Sequence, residues 1–557
     1  MKKNPYKYMK KITLLCLAIL GIYNSATAQE WNWVFSAQAV ESTQVGSYAA
    51  TSTIISDAGG NVYMNCTSTH PSITFGDQTF TGASWIGRNF LVKFDSAGSI
   101  TWIQDTDATD MIATASLVSD PSGNLYSTGE FMGTYNHQGF IFNNVEDNLA
   151  LNSFISKLDN NGIAQWAKHI GVIGNTENEF ENINRFVRAY DIAIDPTGNL
   201  YVCGQMNGVT GIFGNLSVPI QGESDTFIAK YDNNGNILWV KTVLNNGYQG
   251  WRKLVCDSSG NVYMAGSHAG SASISFDGTV LGGNATSLTF LVKYSTDGNL
   301  LWVQSHGGGT QDIFCNSLAI DANNNIYTAG YFNYPSLAFG DVVLTSTHAQ
   351  EGFVVKYNNN GNVLWAKSSG AYDSFNNVKT GSDGAVYLLG NFWSEQVVFG
   401  ETTLTNEGGT NGYVTKMDTD GNYLFAEQIG GEGHFESHMT VNQATNSLYA
   451  SGRYLDARFG EQTYSADTMV DIFLAKLTIP ALSTPSFNAS KQALYPNPAK
   501  DILNITGIDN APFYISDLMG RTVVQGQMSK NSINVSLLPQ GMYLLSINGK
   551  STKFIKE

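Results

Sequence analysis

Charge is in short supply in this chain. Only 14% of its 557 residues are Asp, Glu, Lys or Arg, and it has just 12 prolines and 5 cysteines. So little charge excludes a coiled coil or a long solvated helix, either of which draws heavily on Glu and Lys. The cysteines are irregularly spaced, with no Cys-x-x-Cys pair and no accompanying histidine pattern, so a zinc site is not supported. Beyond the first 28 residues no apolar stretch approaches the ~20 residues needed to span a bilayer as a helix. Signatures of catalysis are missing too. The sequence holds no Gly-x-Ser-x-Gly elbow, no His-Glu-x-x-His, no phosphate-cradling glycine loop and no dinucleotide fingerprint.

Glycine (57) and tyrosine (27) are abundant, with Asn, Ser and Thr around them. That mixture suits short strands joined by tight turns. The N-terminus reads as a secretory signal over residues 1–28. Lys2, Lys3, Lys7, Lys10 and Lys11 precede an apolar run from Ile12 to Gly21, and Ala26-Thr-Ala28 supplies the small residues before a cut at Gln29. Cys16 lies inside the apolar run behind bulky Leu15, which argues against lipidation. After cleavage, 25 basic residues face 46 acidic ones, a formal charge of −21. Such a surface repels phosphate backbones, so nucleic acid is not an expected partner. Cys66, Cys203, Cys256 and Cys315 remain and read as small buried strand residues.

The informative feature is repetition. A short phrase recurs seven times: Gly60-Asn-Val-Tyr63, Gly123-Asn-Leu-Tyr126, Gly198-Asn-Leu-Tyr201, Gly260-Asn-Val-Tyr263, Asn324-Asn-Ile-Tyr327, Gly384-Ala-Val-Tyr387 and Asn446-Ser-Leu-Tyr449. Successive tyrosines lie 63, 75, 62, 64, 60 and 62 residues apart. A second phrase, exemplified by Phe227-Ile-Ala-Lys-Tyr-Asp and Trp239, follows the first six copies and always ends 38 to 40 residues after the tyrosine. Each repeat reads as four strands. In the fifth they are Ser317 to Ile320, Ile326 to Tyr331, Phe353 to Tyr357 and Val363 to Lys367, with Asn, Asp and Gly at the turns. The seventh copy stops at Phe473-Leu-Ala-Lys-Leu477 without its Trp strand, while Glu30-Trp-Asn-Trp33 begins the mature chain with an unattached one. Pairing the two ends closes a ring and removes its sheet edges.

These motifs, Gly-Asn-x-Tyr, Phe-x-x-Lys-Tyr-Asp and Leu-Trp-x-Lys, resemble the seven-bladed β-propeller repeat family of bacterial exported proteins over residues 29–479. Phe425 replaces the Trp once, and Gly384-Ala385 loses the Asn once. The resemblance implies a fold and no defined activity. Residues 480–493 break the pattern as a linker. Beyond it, Leu494-Tyr-Pro-Asn-Pro498, Ile515-Ser-Asp-Leu-Met-Gly-Arg521 and Leu538-Pro-Gln-Gly-Met-Tyr543 are similar to the C-terminal sorting domain of the type IX secretion system of Bacteroidota. That likeness, over residues 494–557, implies a small β-sandwich that docks on the export machinery. It also implies delivery through the periplasm to the outer surface or the medium. The expected architecture is therefore all-β: a seven-bladed propeller closed by its N-terminal strand, then a small C-terminal β-sandwich.

Candidate site residues are few. Trp102, Trp166, Trp239, Trp302 and Trp365 recur once per repeat and are expected to pack repeat against repeat, whereas Trp85, Trp251 and Trp393 fall outside the pattern and suit a ligand surface. Asp232-Asn-Asn-Gly235 and Asp418-Thr-Asp-Gly421 look like calcium loops but lack the terminal acid, and tight hairpins explain the same letters. His434, Glu436 and His438 share one side if their stretch is a strand, but no fourth metal ligand is visible. No catalytic residue, metal ion or cofactor is assigned. The leading expectation is a monomeric binding module for a glycan or a protein. Its variable connections, such as Lys168 to Tyr190 and Ser305 to Asn316, would carry recognition. A glycan hydrolase or lyase with acids converging at the ring's mouth, and a structural spacer, are the alternatives. If the repeated indoles are packing elements, Trp302→Ala should cost ~3–5 kcal/mol. An unchanged melting temperature in thermal unfolding would exclude that role.

Overall fold

The computed structural model describes residues 31–479 and 494–557, apart from 40–48, 82–86, 109–110, 145–149, 175–184, 222–223, 246–247, 271–272, 283–285, 310–311, 334, 432–437, 443, 467–470, 506–510, 518–520 and 548–549. The expected signal peptide therefore lies outside the described residues. Contacts divide the chain after Ile479 into two compact units. Every described regular element is a strand, and every strand-to-strand pairing is antiparallel.

In each repeat four strands line up in chain order. The fifth repeat pairs Ile313–Ile320, Ile326–Phe332, Glu351–Tyr357 and Val363–Ser368 in that sequence. The constant spacing of the repeated phrases is a register constraint. Tyr327 sits opposite Lys356, which sits opposite Trp365, and the same Tyr–Lys–Trp row crosses the other complete repeats, with Phe425 closing it in the sixth. The seven tyrosines are all essentially buried. Each has the repeat's lysine ammonium 4.8 to 5.8 Å from its ring centre, a cation–π contact that contributes ~0.5–1 kcal/mol.

That lysine and the indole also reach out of their own sheet. Lys230 Nζ and Trp239 Nε1 both donate to the Thr296 carbonyl, in the turn joining strands three and four of the next repeat, at 3.0 and 3.2 Å. Lys356 and Trp365 do the same to Thr419, while Trp166 and Trp302 donate to Asn233 and Asn359. Four of the five repeated indoles are thus repeat-to-repeat fasteners, whereas Trp102 Nε1 has no hydrogen-bond partner among the described residues. They are only half-buried, which places the cost of Trp302→Ala at the lower end of its range.

The strand Trp31–Ala39 completes the seventh repeat. It pairs with Asp471–Thr478 in the register Trp33↔Lys476 and Ser36↔Phe473, and on its other side with Ser72–Phe75 of the first repeat. Lys476 donates to the Ser96 carbonyl of the first repeat at 2.8 Å, repeating the fastener across this junction. The first strands of the seven repeats are neighbours in order, Ala49–Ser56 next to Met111–Ser119 and so on to His438–Asn442, which in turn neighbours Ala49–Ser56.

One element was not anticipated. Between its second and third strands each repeat carries a short hairpin, such as Thr210–Phe213 with Leu216–Pro219. In five of the seven, this hairpin pairs with the fourth strand of the preceding repeat or, in the first repeat, with Trp31–Ala39, extending each of those sheets to six strands. What looked like a long variable loop is therefore ordered β-structure. The connections proposed for recognition are also shorter than expected, because strand covers Ala164–Ile173 and Phe186–Ile194 in one case and Leu300–Gly309 and Ile313–Ile320 in the other.

The second unit holds a three-stranded and a four-stranded antiparallel sheet over one core that includes Leu503, Ile515, Ile533, Leu545 and Phe554.

The turn glycines test the fastener. Gly98 has φ +89°, and a Cβ there would lie 2.8 Å from the Trp33 ring; Gly139 has φ +90° with nothing within 4 Å. Gly139→Ala should cost only the left-handed backbone strain of ~1–2 kcal/mol. Gly98→Ala should cost ~1–2 kcal/mol more than that, because the indole must shift as well. Equal melting temperatures for the two variants would refute the contact.

Candidate binding channel

The first strands place seven polar side chains at one level. Thr53, Ser116, Asp191, Lys253, Ser317, Asn377 and His438 each oppose the residue two places after the repeat's tyrosine on the second strand. In five of the seven strands a bulge or irregularity ends at this position, and in the fourth repeat it ends one residue earlier, at Arg252; the extra residue sharpens the local twist.

Part of this level joins strands together. Asp191, almost fully buried, accepts from Ser116 Oγ at 2.5 Å and from Leu254 N at 2.7 Å, linking the second, third and fourth repeats. Ser317 Oγ accepts from Val378 N at 3.0 Å in the same manner. The rest is not committed. Lys253 and, one turn of the pleat further along its own strand, Lys379 are half-buried, and neither ammonium has a hydrogen bond or ion pair among the described residues. Burial holds the Lys379 ammonium below the usual lysine range, with Asp191 opposing that shift and Lys253 adding to it. His438 is pushed down to about 3 by burial and by Lys253 and Lys379, against a hydrogen bond with the Thr51 backbone. The imidazole is therefore neutral at physiological pH. These groups from the third, fourth, sixth and seventh repeats sense one another, and together they carry one net positive charge within an acidic chain.

Of the residues singled out in the sequence, His438 lies at this level, and the others fall elsewhere or outside the description. His434, Glu436 and Trp85 lie outside the described residues, as does the side chain of Trp251. Among the described residues no group of three or more His, Cys, Asp or Glu side chains is placed to hold a metal ion. Trp393 is 37% exposed, lies 5.3 Å from the 39% exposed Tyr372 ring, and donates from Nε1 to Thr410 Oγ1 at 2.9 Å. Together they form a surface aromatic pair. Asp232 accepts from Asn234 N, Asn236 N and Asn236 Nδ2, and Asp418 from Asp420 N, Asn422 N and Asn422 Nδ2. Both carboxylates are occupied by their own turns. A cavity of about 570 Å³ is lined by Asp120, Asp195, Asp257 and Cys256, but each of its three carboxylates likewise accepts from its own turn. The four described cysteines are free, three of them buried.

Six of the seven channel residues were missed because no two of them are near in sequence, and His438 stood out only for its spacing from His434 and Glu436. A signal did exist. Each stands ten residues before its repeat's tyrosine, or eleven in the seventh, and the position is polar every time.

Comparison with known proteins agrees with the two-part organisation. Residues 493–557 match the family described as the secretion system C-terminal sorting domain, and residues 302–331 match the beta-propeller repeat. The chain thus carries propeller repeats followed by a type IX sorting domain, which implies export to the cell surface or secretion. The uncharacterized WD repeat-containing protein L264 of Acanthamoeba polyphaga mimivirus is 24% identical over 399 residues, 59% of this chain. The match spans only 28% of that relative's length. Among solved structures, the polysaccharide lyase Uly1 is similar at 10% identity and a TM-score of 0.40, with 82% of this chain and 94% of that one covered. PorZ, a surface component of the type IX secretion system of Porphyromonas gingivalis, is similar at 10% identity and a TM-score of 0.30, covering 91% and 81%. Likeness this loose transfers no chemistry to the present chain.

Beneath the Tyr372–Trp393 pair, Asp373 is completely buried, accepting from Ser369 Oγ, Gly352 N and Tyr413 OH. Burial pushes its carboxyl up to about 6, with the nearby Glu351 contributing. A carboxyl with a raised folded-state value binds its proton more tightly in the folded chain than in the unfolded one. Its contribution to stability is therefore full below about pH 4 and falls as pH rises to about 6, by up to ~3 kcal/mol. Asp373→Asn should flatten that part of the stability–pH curve in denaturant titrations. An unchanged slope would show that Asp373 ionises normally.

Proposed function

We propose that this protein is an exported seven-bladed β-propeller, its ring completed by the N-terminal strand, that acts at the cell surface or in the medium as a binding module for a glycan or protein ligand. The observation that carries the export half is the sorting-domain match over residues 493–557. The order of neighbouring first strands and the pairing of Trp31–Ala39 with Asp471–Thr478 support the closed ring. In this reading residues 1–28 are removed as a signal peptide, residues 29–479 form the monomeric propeller, residues 480–493 link it to the C-terminal domain, and residues 494–557 engage the type IX machinery after passage through the periplasm. Exposed apolar side chains on that last domain, Leu537, Tyr514 and Ile502, offer a docking surface.

Binding is favoured over hydrolysis by how the acids are used. Asp120, Asp195, Asp257, Asp232 and Asp418 each brace a turn, and Asp373 is sealed beneath the surface. Deleting residues 494–557 should leave the ring folded and trap it in the periplasm, as read by cell fractionation. Normal surface delivery of the truncated chain would overturn the sorting assignment. A glycan-array and pull-down screen with residues 29–479 separates the remaining readings: turnover of a bound glycan would make the protein an enzyme, and no ligand at all would leave a spacer.

A further inference from the structure

We propose that Lys253 and Lys379 form an oxyanion site inside the channel, taking the carboxylate or sulfate of an acidic saccharide. This deepens the binding-module reading and rests on it.

The case starts from how the other lysines of the sheets are used. Lys93 donates to Asn160 O, Lys356 to Thr419 O and Lys476 to Ser96 O. Lys230 lies 3.7 Å from Asp195, Lys293 lies 3.1 Å from Asp257, and Lys416 lies 3.3 Å from Asp383. Those are six of the seven lysines of the third-strand row, and the seventh, Lys157, lies 5.1 Å from the Tyr126 ring centre. A half-buried ammonium without a partner is costly, and Lys253 and Lys379, which sense each other on the first strands, have neither a hydrogen bond, an ion pair nor a ring contact among the described residues. Among the described residues the one carboxylate acting on Lys379 is Asp191, which already accepts two hydrogen bonds and carries a single negative charge against two ammonium groups. His438 stays uncharged there, so the attraction for an anion comes from the two lysines.

A second unmet group lies at the same level. Asn377 Oδ1 is buried with no hydrogen-bond partner among the described residues, and Asn377 stands two residues before Lys379 on the same strand, so both side chains leave the same face. Two free cations and one free acceptor match a ligand that offers an oxyanion and a hydroxyl donor. That pairing is the chemistry of a uronic acid or a sulfated sugar, and a neutral hexose would leave both ammonium groups unanswered. Lysine acts here as a point charge, so either oxyanion geometry is accommodated.

The test uses the full mature chain and calorimetric titration at one fixed ionic strength with glucuronate, glucose and inorganic sulfate. Glucuronate and sulfate should bind and glucose should not. Lys253→Gln and Lys379→Gln, checked first for unchanged melting temperature, should each weaken glucuronate at least tenfold, and Lys379→Arg should retain most of the affinity. On the wild-type chain, glucuronate should protect Lys253 and Lys379 from reductive methylation, read by mass spectrometry, while Lys241 is modified as before; this arm stands even if a variant fails to fold. Absence of anion binding, or anion binding that survives both substitutions and leaves the two lysines unprotected, overturns the channel site. Retained capture of a glycan by the same variants, abolished instead by Trp393→Ala, would sink this inference while leaving the binding module standing.

Discussion

The structure depends on a carbonyl oxygen that belongs to the next repeat. A strand-three lysine lies over its own tyrosine, and the neighbouring indole lies beside it; both donate to one turn of the following sheet. The arrangement fixes three things together. It sets the register of strands two, three and four, it demands a glycine in the receiving turn where the indole arrives, and it makes each sheet's stability conditional on its neighbour. Individually these contacts contribute ~1 kcal/mol each. Repeated around the molecule, they account for why so few sequence positions recur and why those that do are Tyr, Lys, Trp and Gly.

That economy explains what could be read in advance. Tyr327, Lys356 and Trp365 are separated by fixed distances because they must face one another across a pleated sheet, so the spacing announced the strands and their pairing. The incomplete seventh repeat and the unattached Trp31–Trp33 segment told where the N-terminal strand belongs, and its register with Lys476 and Phe473 agrees. The hairpins between strands two and three were harder to see. Their strands are only four residues long, half exposed, and vary in sequence, although Phe75-Gly76-Asp77, Phe339-Gly340-Asp341 and Phe459-Gly460-Glu461 mark the turns.

The channel shows a different limit. Local patterns report on what a residue does within its own repeat, and there Lys253 and Asp191 look like ordinary polar positions. Their meaning comes from residues 60 or more places away that the neighbouring first strands bring to the same level. The surface aromatic pair was half legible: Trp393 stood out by breaking the repeat, whereas Tyr372 had no such mark. Metal reasoning about His434, Glu436 and His438 rested on strand periodicity. His438 does begin a described strand, yet its field is set by lysines contributed from two other repeats.

The pairing of the first strand with the last repeat has a consequence for biogenesis. Asn32 and Thr478 touch across 446 residues of chain, so the seam cannot form until nearly the whole propeller has been synthesised. Contacts of such separation are slow to find and arrive late in folding. The repeats in between must therefore hold together through their own sheets and fasteners until the last strand arrives to meet the first.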